Sequence, residues 1–301
     1  MLKAWFMAMR PWSFTAAFVP VAVGTALAAS QGHFNPWLFL LTVLGGISVQ
    51  AGTNFINTYG DYQSGVDTVD SAHTCPQLVT GAMRPADMKK AGLFAFGFAA
   101  LIGLYLSWLC GWEIFVVGLV GILGGYTYTA GPCPFKYRGL GSLFVFFLMG
   151  PLMAWPAWFI QTGRHDWTPL LVAVPVGFLV SAILNGNDVR DIAHDRAAGI
   201  ATLAIGLGGK RGLLLQRLLY WGAFVSLLTL VALKLLPVSA LLPFALLPIF
   251  RKTLHTLKEA EAGRNDRLLQ LEGMAAGFHF QFGVLLAFGL ALQPWLAGKG
   301  L

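Results

Sequence analysis

Apolar runs of about twenty residues, long enough to cross a hydrocarbon core, recur along this chain and leave it little choice of fold. They lie near residues 12–29, 36–57, 91–112, 114–130, 143–161, 168–185, 213–235, 238–250 and 274–295, the eighth being the shortest. Inside lipid a helix satisfies its own backbone hydrogen bonds. The pattern therefore predicts an all-α integral membrane protein of about nine transmembrane helices around a central cavity. Composition agrees, since 56% of the 301 residues are hydrophobic and only 11% are charged, too apolar for a soluble globular chain.

Charge orients the bundle. With the N-terminus cytosolic, only Arg164, Lys234 and Lys299 of the 20 Lys and Arg fall on the far side, as the positive-inside rule demands. Only Glu113 and Asp166 of the 13 acidic residues lie there too. That rule does not govern acids, so their clustering points to chemistry on the cytosolic face. The net charge of +7 suits the anionic lipids of the bilayer and an anionic substrate head. It is no nucleic-acid footprint, because no soluble basic domain carries it. The expected location is the inner or plasma membrane of a prokaryote, with the N-terminus and active-site loops cytosolic. The first apolar run lacks a small-residue cleavage site and reads as a retained span. Cys75, Cys110 and Cys133 have no CxxC or metal-like spacing, so free thiols are expected.

Two polar stretches interrupt this pattern where apolar runs end. Asn54, Asn57 and Asp61 stand at i, i+3 and i+7, with Asp67 following; Asn187, Asp191 and Asp195 stand at i, i+4 and i+8. Each helical set lines one face. Facing carboxylates repel unless a divalent cation sits between them. Magnesium takes oxygen ligands, accepts one or two protein carboxylates, and fills its shell with water and phosphate oxygens. Two small acidic clusters thus suit two or three Mg2+ ions and a diphosphate, whose departure from an allylic carbon they would assist. Lys136 and Arg138, in the loop 126–141, and Arg190 are cations able to hold phosphate oxygens.

The chain reads as one intramembrane domain, 1–301. The motifs close the second and sixth spans, an arrangement expected of an internal duplication that sets the acidic clusters face to face. The stretch 62–90 is too long for a tight hairpin and is expected to be a partly helical lid, so cytosolic loops near 61–90 and 187–211 would cover the cavity mouth. The segment 251–272 alternates Leu with charges and is expected along the cytosolic interface.

Plainer roles compete with these. Asn54 suits a hydrogen bond between packed helices. Lys136 and Arg138 suit positive-inside anchors. Asp70, Asp87 and Asp188 suit loop charges or helix caps. On helix geometry alone Asp67, at i+6 from Asp61, points elsewhere, so its participation requires the helix to unwind near Gly65. A secondary transporter would also carry paired repeats and acids, but places its ionisable groups near the bilayer midplane, whereas these lie at the cytosolic ends.

Three motifs in order, Asn57–Asp61–Asp67, the run 126–141, and Arg190-Asp191-Ile192-Ala193-His194-Asp195 continuing to Ala204, resemble those of the UbiA superfamily of intramembrane prenyltransferases. Within it the chain is similar to the MenA-like, 1,4-dihydroxy-2-naphthoate polyprenyltransferase branch of menaquinone synthesis. The resemblance implies a nine-span helical fold, magnesium dependence, a polyprenyl diphosphate donor and C-alkylation of an aromatic acceptor. By resemblance Asn57, Asp61, Asp67, Asp191 and Asp195 would be metal and diphosphate ligands, Asn187 would support them, and Lys136 would touch the diphosphate. Ser142 and His73 depart from the family pattern and leave open other acceptors, such as 4-hydroxybenzoate or homogentisate.

Overall fold

The computed structural model describes residues 2–69, 75–132 and 134–294. Their regular structure is helical throughout, with a single isolated bridge between Arg138 and Ala201. In chain order the helices are α1 (Leu2–Ala8), α2 (Thr15–Ser30), α3 (Pro36–Gln63), α4 (Pro85–Cys110), α5 (Trp112–Thr127), α6 (Gly141–Met149), α7 (Pro151–Thr162), α8 (Thr168–Val172), α9 (Val174–Arg190), α10 (Ile192–Ala197), α11 (Leu203–Leu207), α12 (Gly209–Ala232), α13 (Leu247–Glu261), α14 (Asn265–Leu268) and α15 (Leu271–Ala291).

Proline and glycine punctuate them. Pro36, Pro85 and Pro151 open α3, α4 and α7, where the missing N–H is not needed, and Asn35 caps α3 by accepting from the amides of Trp37 and Leu38 at 2.9 and 3.2 Å. Gly163 ends α7 at φ +64°, a left-handed conformation that costs glycine little.

Six segments are long and apolar enough to cross a bilayer: Pro11–Ser30, Pro36–Gln63, Pro85–Cys110, Gly141–Thr162, Gly209–Ala232 and Asn265–Ala291, with Trp112–Thr127 a shorter apolar helix. The remaining expected spans differ in kind. The sixth is broken between α8 and α9 at Ala173, ahead of Pro175. The eighth begins as a 3-10 helix, Val238–Leu246, and becomes α-helical only in α13. Pro243 and Pro248 interrupt the backbone ladder that a continuous α-helix would need there. The ninth was expected to reach Trp295, which lies outside the described residues, and α15 runs to Ala291.

Close packing holds the bundle. An added Cβ at Gly24 would meet the backbone of Ala154, and one at Gly283 would meet Val19, so α2 touches α7 and α15 through small residues. Polar bonds tie α9 to α12: Asn185 donates to Gln216 at 2.6 Å and to the Gly212 carbonyl at 3.1 Å, while Gln216 donates back to the Ala182 carbonyl at 2.8 Å. Within the stretch 62–90, expected to be partly helical, residues 62–63 end α3 and 85–90 begin α4, and the described residues between them form turns. Cys75, Leu78 and Met83 are buried there against Ala8, Phe55 and Met88, so apolar side chains moor this segment to α1, α3 and α4.

Candidate active site at the mouth of the bundle

The last three turns of α3 carry Asn54, Asn57 and Asp61, all buried. Asn54 donates to the Met9 carbonyl at 2.6 Å and to Ser13 Oγ at 2.8 Å. It therefore joins helix to N-terminal segment, the plainer of its two expected roles. The Asn57 amide nitrogen is buried with no hydrogen-bond partner in a wall of the central cavity. Asp61 accepts from Lys136 Nζ at 2.6 Å and from the Tyr137 hydroxyl at 2.8 Å.

Past Gln63 the helix does unwind. Gly65 takes φ +73°, and the amides of Val66 and Asp67 both donate to the Asp61 carbonyl, at 2.9 and 3.1 Å. This turn folds the chain back over the helix end and returns Asp67 to the pocket that Asp61 lines. Burial, with the Asp61 charge adding, pushes the Asp67 carboxyl up to about 6.

Opposite stands the end of α9. Asp191 links α9 to α10 at φ −97°, ψ 8°, yet its amide still donates to the Asn187 carbonyl at 3.0 Å and the Asp195 amide to the Asp191 carbonyl at 2.9 Å. The i, i+4 ladder thus passes through the bend, and Asn187, Asp191 and Asp195 face one pocket as expected. Burial pushes Asp195 up to about 6, with Lys136 opposing and Asp191 adding. Arg190 clamps the corner. It donates to both oxygens of Asp191 at 2.8 and 2.6 Å, to Asn187 Oδ1 at 3.1 Å and to Glu272 at 2.6 Å.

Lys136 reaches the site because its loop doubles back on α5, with the amides of Phe135 and Lys136 donating to the carbonyls of Thr127 and Tyr128 at 3.2 and 3.0 Å. Phe135 stacks on Phe144, ring centres 4.0 Å apart. Burial lowers the Lys136 pKa, and the charge and hydrogen bond of Asp61 outweigh it, so the ammonium titrates above its ordinary range. Burial and Asp61 likewise raise the Tyr137 phenol. Arg138 is exposed and lines neither cavity; its backbone pairs with Ala201.

Asp61, Asp67, Asp188, Asp191 and Asp195 therefore surround one small polar pocket of about 40 Å³, with Arg10, Lys136 and Arg190 among them. Cys75 and His194 also line it, but its five carboxylates offer the hard oxygens that magnesium prefers. No three of the described His, Cys, Asp and Glu side chains converge as a ready-made metal cage. The two facing groups therefore fit ions that take only one or two carboxylates each and complete their shells with phosphate oxygens and water.

Below the pocket lies a larger, mostly apolar cavity of about 190 Å³, sharing Arg10, Lys136, Asn187 and Asp188 with it. A third, almost wholly apolar cavity of about 140 Å³ between α3, α4, α5 and α7 shares Val49, Gly121, Leu148 and Met153 with the second. Through these shared walls the three cavities adjoin in series, from a charged pocket to an oily interior.

Four site residues escaped sequence reasoning. Arg10, counted only as a topological charge, is placed by a left-handed turn at φ 52° and donates to Thr58 Oγ1 at 3.2 Å. Asp188, given no role beyond a loop charge or helix cap, is 6% exposed and lines both upper cavities. Tyr137 and Glu272 complete the hydrogen bonding of Asp61 and Arg190. Only the burial implied by their adjacency to the motifs or spans signalled them. Ser142 is buried, its hydroxyl without a partner; His73 lies outside the described residues. Cys75 and Cys110 are free thiols, and Cys133 falls outside the described residues.

A family model described as the UbiA prenyltransferase family matches residues 17–296. A 1,4-dihydroxy-2-naphthoate octaprenyltransferase of Bacillus subtilis is 37% identical over 201 residues, 67% of this chain and 65% of that protein. A UbiA prenyltransferase domain-containing protein 1 of Rattus norvegicus is 31% identical over 97% of this chain and 84% of its own length. Among solved structures, a UbiA homologue from Archaeoglobus fulgidus bound to GPP and Mg2+ superposes with a TM-score of 0.60 at 16% identity, covering 94% of this chain and 99% of that one. At that identity the likeness is one of fold.

Proposed function

The chain belongs to the UbiA prenyltransferase family and is an integral membrane prenyltransferase, and from that premise we propose that it transfers a polyprenyl group from an allylic diphosphate, with Mg2+, to 1,4-dihydroxy-2-naphthoate in menaquinone biosynthesis. The observation that carries this is the junction of the polar pocket with the apolar path. A prenyl diphosphate has the same polarity profile, a charged head on a long hydrocarbon tail. The octaprenyltransferase name of the Bacillus relative supports the choice of acceptor, and the Mg2+ and GPP of the Archaeoglobus homologue support the cofactor and donor class. The working unit is one domain, residues 1–301, whose loops 61–90 and 187–211 border the mouth on the cytosolic face, where the basic residues concentrate.

In this mechanism Asp61, Asp67, Asp191 and Asp195, with Asn57, hold Mg2+, which when bound supplies charge neutralisation to the diphosphate. Lys136, Arg10 and Arg190 present cationic donors to phosphate oxygens, and Asn187 keeps Arg190 in place. Their charge stabilises the departing diphosphate, so the allylic C–O bond breaks with its electron pair going to oxygen. The apolar walls position the tail and keep water from the resulting cation. The electron-rich ring carbon that bears the carboxylate then attacks the allylic cation, and its bond to the carboxylate breaks, releasing carbon dioxide and returning the electron pair to the aromatic ring.

Purified protein in lipid nanodiscs, given labelled prenyl diphosphate, Mg2+ and a panel of hydroxylated aromatic acids, tests this directly. Prenylated naphthoate product with release of carbon dioxide is expected. Consumption of the donor with another aromatic acid, and none with dihydroxynaphthoate, would overturn the acceptor.

A further inference from the structure

Asp188 differs from every other aspartate of the cluster. Asp61, Asp67, Asp191 and Asp195 line the polar pocket alone, whereas Asp188 lines that pocket and the apolar cavity beneath it. One residue past Asn187, it is turned about 100° around α9 from the Asn187–Asp191 face. It is 6% exposed, and among the described residues its carboxylate has no hydrogen-bond or ion-pair partner. Two of the nearby cations are paired elsewhere, Lys136 with Asp61 and Arg190 with Asp191, Asn187 and Glu272, while Arg10 donates to Thr58 and keeps its Nε buried without a partner.

A carboxylate this sheltered gains from a donor, and because Asp188 opens onto both cavities a bound substrate can reach it. Of the two reactants, the prenyl tail has no donor and the diphosphate is an anion that repels a second anion. An aromatic ring hydroxyl is a donor, and it arrives where the apolar cavity meets the diphosphate pocket. We propose that Asp188 is the acceptor-binding residue, taking a hydrogen bond from a ring hydroxyl of the aromatic substrate and so restricting the enzyme to hydroxylated aromatics. The bond also pushes electron density into the ring that attacks the allylic carbon. This rests on the prenyl-transfer function proposed above and adds to it the group that selects and orients the acceptor.

The test is a cycle between residue and substrate. In the purified enzyme Asp188→Asn keeps the shape and removes the charge. The KM for the hydroxylated acceptor should rise about 10- to 100-fold, the range for a hydrogen bond to a charged group, while the donor KM stays within about twofold. A methyl ether of the same acceptor should suffer a similar loss with the wild-type enzyme and little further loss with Asp188→Asn, because the bond is already gone. Binding of a non-hydrolysable prenyl diphosphate analogue with Mg2+ should be unchanged in the variant, which also establishes that it is folded. Loss of analogue binding would assign Asp188 to the metal site and overturn the proposal. Equal use of hydroxyl and ether by the wild-type enzyme would overturn it without recourse to any variant. Wild-type protein that binds the analogue yet prenylates no hydroxylated aromatic would overturn the proposed function itself.

Discussion

Lys136 Nζ lies 2.6 Å from Asp61 Oδ2, and Tyr137 donates to the other oxygen of the same carboxylate at 2.8 Å. The loop between α5 and α6 thus grips the end of α3. Replacing Asp61 by Asn should lower kcat about 10²- to 10³-fold, the usual effect of removing one preorganised electrostatic group, with the protein still inserted and folded. Lys136→Ala should raise the donor KM far more than the acceptor KM, whereas Arg138→Ala, at an exposed position, should leave both near wild type. Steady-state kinetics with each substrate varied separately check all three.

Chelation should abolish turnover and Mg2+ should restore it, because the aspartates of the pocket outnumber its cations and repel a diphosphate unless a divalent cation stands between them. Mg2+ with inorganic diphosphate should also raise the melting temperature. Ligand at about a hundred times its Kd adds about 2.7 kcal/mol, readable by differential scanning fluorimetry.

Asp67 and Asp195 carry a pH prediction. Both titrate near 6, above the ordinary carboxylate range, so between about pH 4 and 6 the fold binds protons that the unfolded chain has released. Stability of the metal-free protein should therefore fall as pH rises through that window and level off above it. Magnesium favours the ionised forms, so its affinity should fall as pH drops through 6. Melting scans and magnesium titrations at pH 5 and 7.5 read the two opposite slopes.

Gly118, which lines the third cavity, faces open space where a Cβ would point. Gly118→Phe should fill part of the apolar path and shorten the longest donor used, leaving kcat with a short donor near wild type. Competition between donors of different length measures the shift.

At Gly24 an added Cβ would collide with backbone atoms of Ala154, which cannot rotate away. Gly24→Ala should therefore destabilise the α2–α7 contact by about 1–3 kcal/mol, the typical cost of overpacking. A lower melting temperature in detergent, with KM values unchanged, is the expected result.

Hydrophobic run length and motif spacing made the helices and the two facing acidic ends legible in advance. Asp61, Asn187, Asp191 and Asp195 meet because helical period alone puts them on inward faces, Asn57 faces the adjoining apolar cavity, and Asp67 joins the pocket through a left-handed turn for which Gly65 was a visible cue. Arg10 and Asp188 were not legible. A cation beside the first span serves topology as readily as chemistry, and an aspartate between Asn187 and Val189 shows its burial only when α9 is set against its neighbours. Arg138, chemically equivalent on paper to Lys136, is turned outward two residues later. The eighth span was expected from its apolarity, which registers side chains but not the interruption of the ladder by Pro243 and Pro248.

Arg190 reaches across to Glu272, and Arg10 lines the same cavity as Glu272, so opposite ends of the chain build one wall. During synthesis, the corner formed by Asn187, Arg190 and Asp191 is made long before the residue that anchors it emerges from the ribosome. Until α15 is inserted, the Arg190 guanidinium lacks one of its carboxylate partners and the cavity lacks a side. Competence for chemistry thus awaits the insertion of α15, and a nascent chain stalled before it has the motifs but not the closed site.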